Sequence, residues 1–161
     1  MKLNTVFLLL GSNMQDPGLQ LSFAKKNIQQ KIGNITGQSS VYRTAAWGEK
    51  DQPEFLNEAL LVQSKLSALE ILQQILNIEA NMGRIRTEKN APRLIDIDIL
   101  FFNDAIIKTK DLIVPHPEIS RRRFVLAPLA ELAPLFIHPQ LYKNIRELLN
   151  SCEDVLNVQK I

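Results

Sequence analysis

Two carboxylates, Asp96 and Asp98, interrupt the apolar run "PRLIDIDILFF" at residues 92–102. An ionised carboxylate withdrawn from water without a partner costs several kcal/mol, so two of them in one apolar segment call for compensating positive charge. On a strand, residues i and i+2 share a face. Asp96 and Asp98 therefore project together, with stems roughly 6–7 Å apart at a rise of about 3.3 Å per residue. Leu94 and Leu100 extend that face, while Ile95, Ile97 and Ile99 fill the other. Like charges this close raise each other's pKa unless a cation lies between them, and Mg²⁺ is typically held by one or two carboxylates together with phosphate and water oxygens. An arginine paired with one aspartate, the other facing solvent, is the competing arrangement. Arg84, Arg86 and Arg93 lie just upstream, and Arg121, Arg122 and Arg123 form a second cluster. Carboxylates holding Mg²⁺ beside guanidinium groups that clamp phosphate are the parts phosphoryl transfer requires, although a run of charge is commonly no more than a solvated face. Glu79, four residues before Gly83, is placed to hydrogen-bond a ligand near that helix end, although its spacing alone favours a solvent-facing helix glutamate.

The elements that must position these groups alternate in type. Residues 4–10 read as a buried strand ended by "GSN". Asp16-Pro17 has the form of an N-cap followed by proline at the first helical position, and Leu21, Ala24, Ile28 and Ile32 continue at helical spacing to Gly33. A strand is expected from about Gly37 to Ala45, an exposed loop at "WGEKDQPEF", and a further strand at "FLNEALLVQSKL". Ser67 and Glu70 form a capping-box pattern that opens a helix with Ile71, Ile75, Ile78 and Met82 along one stripe. The polar loop "RIRTEKNAP" leads into the aspartate strand, "AIIKTKDLIVP" holds one or two short strands, and the chain beyond Pro117 reads as mostly helical. Strand, helix, strand, strand, helix, strand is the order of the ferredoxin-like unit. The expected fold is α+β, a single compact domain over residues 1–161, with a ferredoxin-like antiparallel sheet and helices packed on its faces, mainly on one.

Composition narrows the function classes. The 161 residues are 45% hydrophobic and 22% charged, as in ordinary globular domains. A formal net charge of +2 gives no reason to expect a nucleic-acid or membrane surface. Cys152 is the only cysteine, which excludes an intrachain disulfide framework and a thiolate metal cluster. The run "VFLLL" is too short to span a membrane, and the expected setting is cytoplasmic and soluble.

The segments "LLLGSN", "VYRTAAWG", "DQPEFLNEAL", "IEANMGRIR", "APRLIDIDILFF" and "VPHPEISRRRFVLAPLAELAP" occur in an order and spacing that resembles the 6-hydroxymethyl-7,8-dihydropterin pyrophosphokinases of folate biosynthesis, from about residue 6 to residue 138. The resemblance implies transfer of the pyrophosphoryl group of ATP to the hydroxymethyl oxygen of the reduced pterin, giving the diphosphate and AMP. It implies two Mg²⁺ ions at Asp96 and Asp98, with Arg84 and Arg93 beside them in the catalytic set. The implied pterin pocket comprises Thr44, Ala45, Trp47, Phe55, Asn57 and Phe124; the ATP side comprises Glu79, Arg84, Arg86, Arg93, His116 and Arg122. His138, Arg121 and Arg123 are left as structural or solvated. The implied partners are small molecules only, with no nucleic acid and no membrane, and the protein is expected to be a monomer. Two departures stand out: the loop after the "RxR" arginines is short and lacks a tryptophan, and Ala45-Ala46 replaces prolines. The arginine loop, the "WGEKDQP" loop and the turn near Asn13 are expected to act as lids. Among rival readings, D-x-D also serves nucleotide-sugar glycosyltransferases and polymerases. Ferredoxin-like sheets also bind RNA, but the aromatic signature of that class is absent here.

Overall fold

The computed structural model describes residues 2–45, 53–83 and 94–161. Trp47, Arg84, Arg86 and Arg93, together with most of both polar loops, lie outside the described residues. In chain order the elements are β1 (Asn4–Ser12), α1 (Pro17–Lys31), β2 (Asn34–Gln38), β3 (Tyr42–Thr44), β4 (Phe55–Ser64), α2 (Ala68–Asn81), β5 (Asp96–Phe102), β6 (Ile107–Lys108), β7 (Ile113–Val114), α3 (Arg123–Leu132), α4 (Ile145–Asn150) and β8 (Val158–Lys160). The main sheet runs β5-β1-β4-β3-β8, with β2 also paired to β4, and the pairings are antiparallel. The short strands β6 and β7 pair separately.

Alternation along β1 divides the interior into two layers. Val6, Leu8 and Leu10 face α1 and α2, whose Leu21, Ala24, Ile28, Ile71, Ile75 and Ile78 fill one core. Phe7 and Leu9 face α3 and α4, where Val125, Leu126, Leu129, Ile145 and Leu148 fill the second. Each large aliphatic buried here contributes about 1.5–3 kcal/mol before entropy is counted. The helices therefore cover both faces of the sheet rather than mainly one, because the stretch after Pro117 supplies a second apolar pair.

Local chemistry explains most boundaries. The Asp16 side chain accepts the Leu19 N–H, with Pro17 opening α1, and the Ser67–Glu70 capping box opens α2. Gly83 ends it at φ 89°, a conformation that favours glycine. The expected strand from Gly37 to Ala45 is instead two, β2 and β3. At Ser39 the side-chain Oγ accepts the Ala59 N–H at 2.9 Å while the Ser39 N–H donates to the Ala59 carbonyl. A side chain thus replaces a ladder carbonyl and breaks the edge. β1 also continues past its expected end through Gly11 and Ser12, which remain paired to both neighbours at Gly11. β8 has no local signature in the sequence, since three residues carry no usable alternation.

Candidate active site

The register across the sheet assembles a row of functional groups. Asp96 on β5 lies opposite Gly11 on β1, Gly11 opposite Asn57 on β4, and Asn57 opposite Tyr42 on β3. Asp98 lies opposite Leu9, one step inward. Ile95, Ile97 and Ile99 are buried in the core of the other face, as the i, i+2 argument requires. A bulge at Leu100 follows, and its carbonyl accepts the His116 N–H at 3.0 Å. That bond fastens the loop after β7 to the aspartate strand.

A narrow slot of about 60 Å³ opens beside this row, lined by Leu9, Gly11, Thr44, Ala45, Phe55, Asn57, Asp96, Asp98, Arg122 and Phe124. All five described candidates for the pterin pocket meet there. Leu9 and Gly11 were not anticipated, because "GSN" reads as the end of a strand and not as a floor. The absence of a side chain at Gly11 matters, since a Cβ there would sit 2.9 Å from Asn57 Oδ1. Asn57 is buried, and its Nδ2 makes no hydrogen bond among the described residues. Such a donor is costly to leave unmatched, and it suits the amide-like edge of a heterocycle. Phe55 and Phe124 add aromatic surface to the same slot, and flat rings favour it. The Arg122 guanidinium carbon lies 5.7 Å from the centre of the Phe124 ring, within cation–π range.

A wider crevice of about 520 Å³ adjoins the slot. Glu79, Asp96, Asp98, His116 and Arg122 line it, as do Leu72 and Leu76 of α2 and Lys110 at the end of β6's turn, three residues the sequence did not flag. Asp96, Asp98 and Arg122 belong to both spaces. Glu79 is not the solvent-facing residue its spacing suggested. It is 3% exposed and accepts the Ile97 N–H at 2.9 Å, so it satisfies the donor between the two aspartates on the outer edge of β5. His116 Nδ1 accepts the Glu118 N–H at 3.2 Å, which leaves Nε2 to carry the proton of the neutral ring. Burial, and then the Arg122 charge, lower the His116 pKa, against the opposing pull of Asp96 and Glu118.

The remaining candidates separate cleanly. Arg121 pairs with Glu118 at 3.1 Å and is largely exposed. Arg123, expected to be solvated, is half-buried and bound to the Cys152–Asp154 segment. His138 is structural: its Nδ1 accepts the Gln140 and Leu141 N–H groups, and its ring packs edge-on against Phe101. Asn13 is buried and donates to the Pro53 carbonyl at 3.1 Å, just ahead of β4. No cluster of three or more His, Cys, Asp and Glu side chains forms a complete metal site among the described residues. Two carboxylates alone suit a hard cation that takes its remaining oxygens from phosphate and water.

The antiparallel sheet thus carries a narrow slot walled by Phe55 and Phe124 that adjoins a wider crevice, with Asp96, Asp98 and Arg122 at the border of the two. The family model of 7,8-dihydro-6-hydroxymethylpterin-pyrophosphokinase matches residues 7–134. The 2-amino-4-hydroxy-6-hydroxymethyldihydropteridine pyrophosphokinase of Aquifex aeolicus is 41% identical over 145 residues, 89% of each chain. That of Bacillus subtilis is 42% identical over 130 residues, 80% of this chain and 78% of its own. A folic acid synthesis protein of Dictyostelium discoideum is 40% identical over 86% of this chain, which spans 21% of that longer protein. Among solved structures, wild-type Plasmodium falciparum HPPK-DHPS with pteroate shares the fold with a TM-score of 0.76 at 19% identity, over 92% of this chain and 42% of that one. The chain belongs to the 7,8-dihydro-6-hydroxymethylpterin-pyrophosphokinase family. Its function is pyrophosphoryl transfer in folate biosynthesis, and ATP is the co-substrate that a kinase of this family implies.

Proposed function

We propose that this chain binds 6-hydroxymethyl-7,8-dihydropterin in the slot and Mg-ATP in the crevice, and joins them at Asp96 and Asp98. The observation that carries this reading is the shared lining: the two aspartates and Arg122 border both spaces, so the reacting groups of two substrates would meet beside them. In the transfer, the pterin hydroxymethyl oxygen bonds to the β-phosphorus of ATP. The bond from that phosphorus to the α,β-bridging oxygen breaks, AMP leaves with that oxygen, and the hydroxyl proton passes to water.

Asp96 and Asp98 would hold two Mg²⁺ ions, which when bound neutralise charge on the triphosphate and the departing AMP. Phe55 and Phe124 hold the pterin ring, while Asn57 Nδ2 and Thr44 read its polar edge. Arg122 directs its charge to phosphate oxygens, with His116 Nε2–H as a neutral donor nearby. Glu79 fixes the strand between the aspartates. Arg84, Arg86 and Arg93 join the nucleotide side on the strength of the motif alone. Positioning and electrostatics of this kind supply most of the acceleration in phosphoryl transfer.

Asp98→Ala tests the assignment. The variant is expected to fold, because Asp98 lies on the open side of β5, and to lose nearly all turnover. Retention of more than about a tenth of wild-type activity contradicts a contribution of several kcal/mol from this carboxylate.

A further inference from the structure

We propose that the carboxy-terminal segment from Cys152 to Lys160 is a clamp that sets the width of the slot, with Asp154 as its positioning residue. The inference rests on reading the slot as the reduced-pterin site. The segment lies beyond the family match, which ends at residue 134, yet it is bonded to two different parts of the slot's wall.

The first is the start of α3. No side chain of its own caps that helix at Arg122. Asp154 supplies the acceptor instead: its Oδ2 takes the Arg123 N–H at 2.9 Å and its Oδ1 takes the Leu156 N–H at 3.0 Å. A carboxylate against the first N–H of a helix is favoured by both the hydrogen bond and the helix dipole. The Arg123 guanidinium completes the tie, with Nε donating to the Asp154 carbonyl and Nη2 to the Cys152 carbonyl, each at 3.0 Å. Arg122 and Phe124, the neighbours of Arg123 in sequence, both line the slot.

The second is the end of β3. Val158 of β8 pairs with Thr44, and the Asn157 carbonyl accepts the Thr44 hydroxyl at 3.3 Å. Thr44 and Ala45 line the slot too. Nine residues thus hold Phe124 and Thr44 in one frame, and because Thr44 pairs with Phe55 on β4, the separation of the two aromatic walls depends on that frame.

The test is steady-state kinetics on the 161-residue chain, comparing wild type with Asp154→Asn, Asp154→Ala and Gln159→Pro. The last cannot donate from residue 159 to the ladder opposite Arg43. Asp154→Ala removes the acceptors of both the Arg123 and Leu156 N–H groups and is expected to raise KM for the pterin by about tenfold, the Arg123 bond at the helix start converted at 1.4 kcal/mol per decade. KM for ATP should stay within about twofold. Asp154→Asn, which keeps one acceptor, should fall between, and Gln159→Pro should also raise the pterin KM selectively. Folded variants with unchanged pterin KM, or with both KM values and kcat degraded together, overturn the clamp. Wild type that forms no product from the pterin overturns the site assignment itself and the clamp with it.

Discussion

Glu79→Ala offers a quantitative probe of how the aspartates are held. The carboxylate is 3% exposed and accepts the Ile97 N–H at 2.9 Å, and Ile97 separates Asp96 from Asp98. Truncation to alanine leaves a buried backbone donor on the outer edge of β5 with its acceptor gone, at a cost of about 1–3 kcal/mol. For a chain of this length each kcal/mol lowers Tm by about 2–4 °C, so a fall of roughly 2–12 °C is expected by calorimetry. The same loss frees the strand on which both carboxylates sit. A misplacement of about 1 Å costs up to a hundredfold in rate, so kcat should drop by about tenfold or more. Glu79→Gln retains an acceptor and should recover most of the Tm and part of kcat. Glu79→Ala with wild-type Tm, or with lowered Tm but wild-type kcat, refutes the link between this hydrogen bond and the catalytic geometry.

Other outcomes follow from the same structure. Asn57→Ala removes the buried, unmatched amide of a residue that lines the slot and should raise KM for the pterin by about tenfold while leaving KM for ATP unchanged; equal changes in both would contradict its placement. Tyr42→Phe deletes the phenol that donates to Glu131 at 2.6 Å and should lower stability by about 1 kcal/mol in urea unfolding, with no change in m-value. Burial lowers the pKa of His138, as it does of His116. Both rings fold neutral and titrate at higher pH when unfolded, so their contribution is present above the ordinary histidine pKa of 6.5 and is lost as pH falls through their folded values. His138→Asn should flatten that decline in a plot of Tm against pH. Lys25 reaches the buried Glu58 carboxylate at 3.1 Å, and burial already pushes the Glu58 pKa up. Lys25→Met should therefore destabilise more at pH 7 than at pH 5, because the stranded carboxyl is most easily accommodated when protonated.

The sequence carried the parts of this account that depend on period and pairing. A period of two placed Asp96 and Asp98 on one face, and the apolar residues between them sit in the core as required. Capping chemistry at Asp16 and Ser67 located two helix starts. What escaped was set by distant partners. Glu79 looks exposed on its own helix and is buried only because the unpaired edge of β5 lies beneath it. Arg123 looks like one of three equivalent arginines until the Cys152–Asp154 segment folds back onto it. Gly11 reads as a strand terminus because the groups that need its empty space, Asn57 and Phe55, come more than forty residues later. The break between β2 and β3 depends on one serine hydroxyl finding a backbone N–H across the sheet, a choice that no local pattern announces.

On the proposed function, Asp96 and Asp98 serve a transfer in which two phosphates move together from ATP to the pterin. Incubation of the protein with ATP, Mg²⁺ and 6-hydroxymethyl-7,8-dihydropterin, followed by separation of the nucleotides, tests it directly. AMP is expected in amounts that depend on the pterin and match the pterin diphosphate formed. Accumulation of ADP, or of no nucleotide product at all, would contradict it.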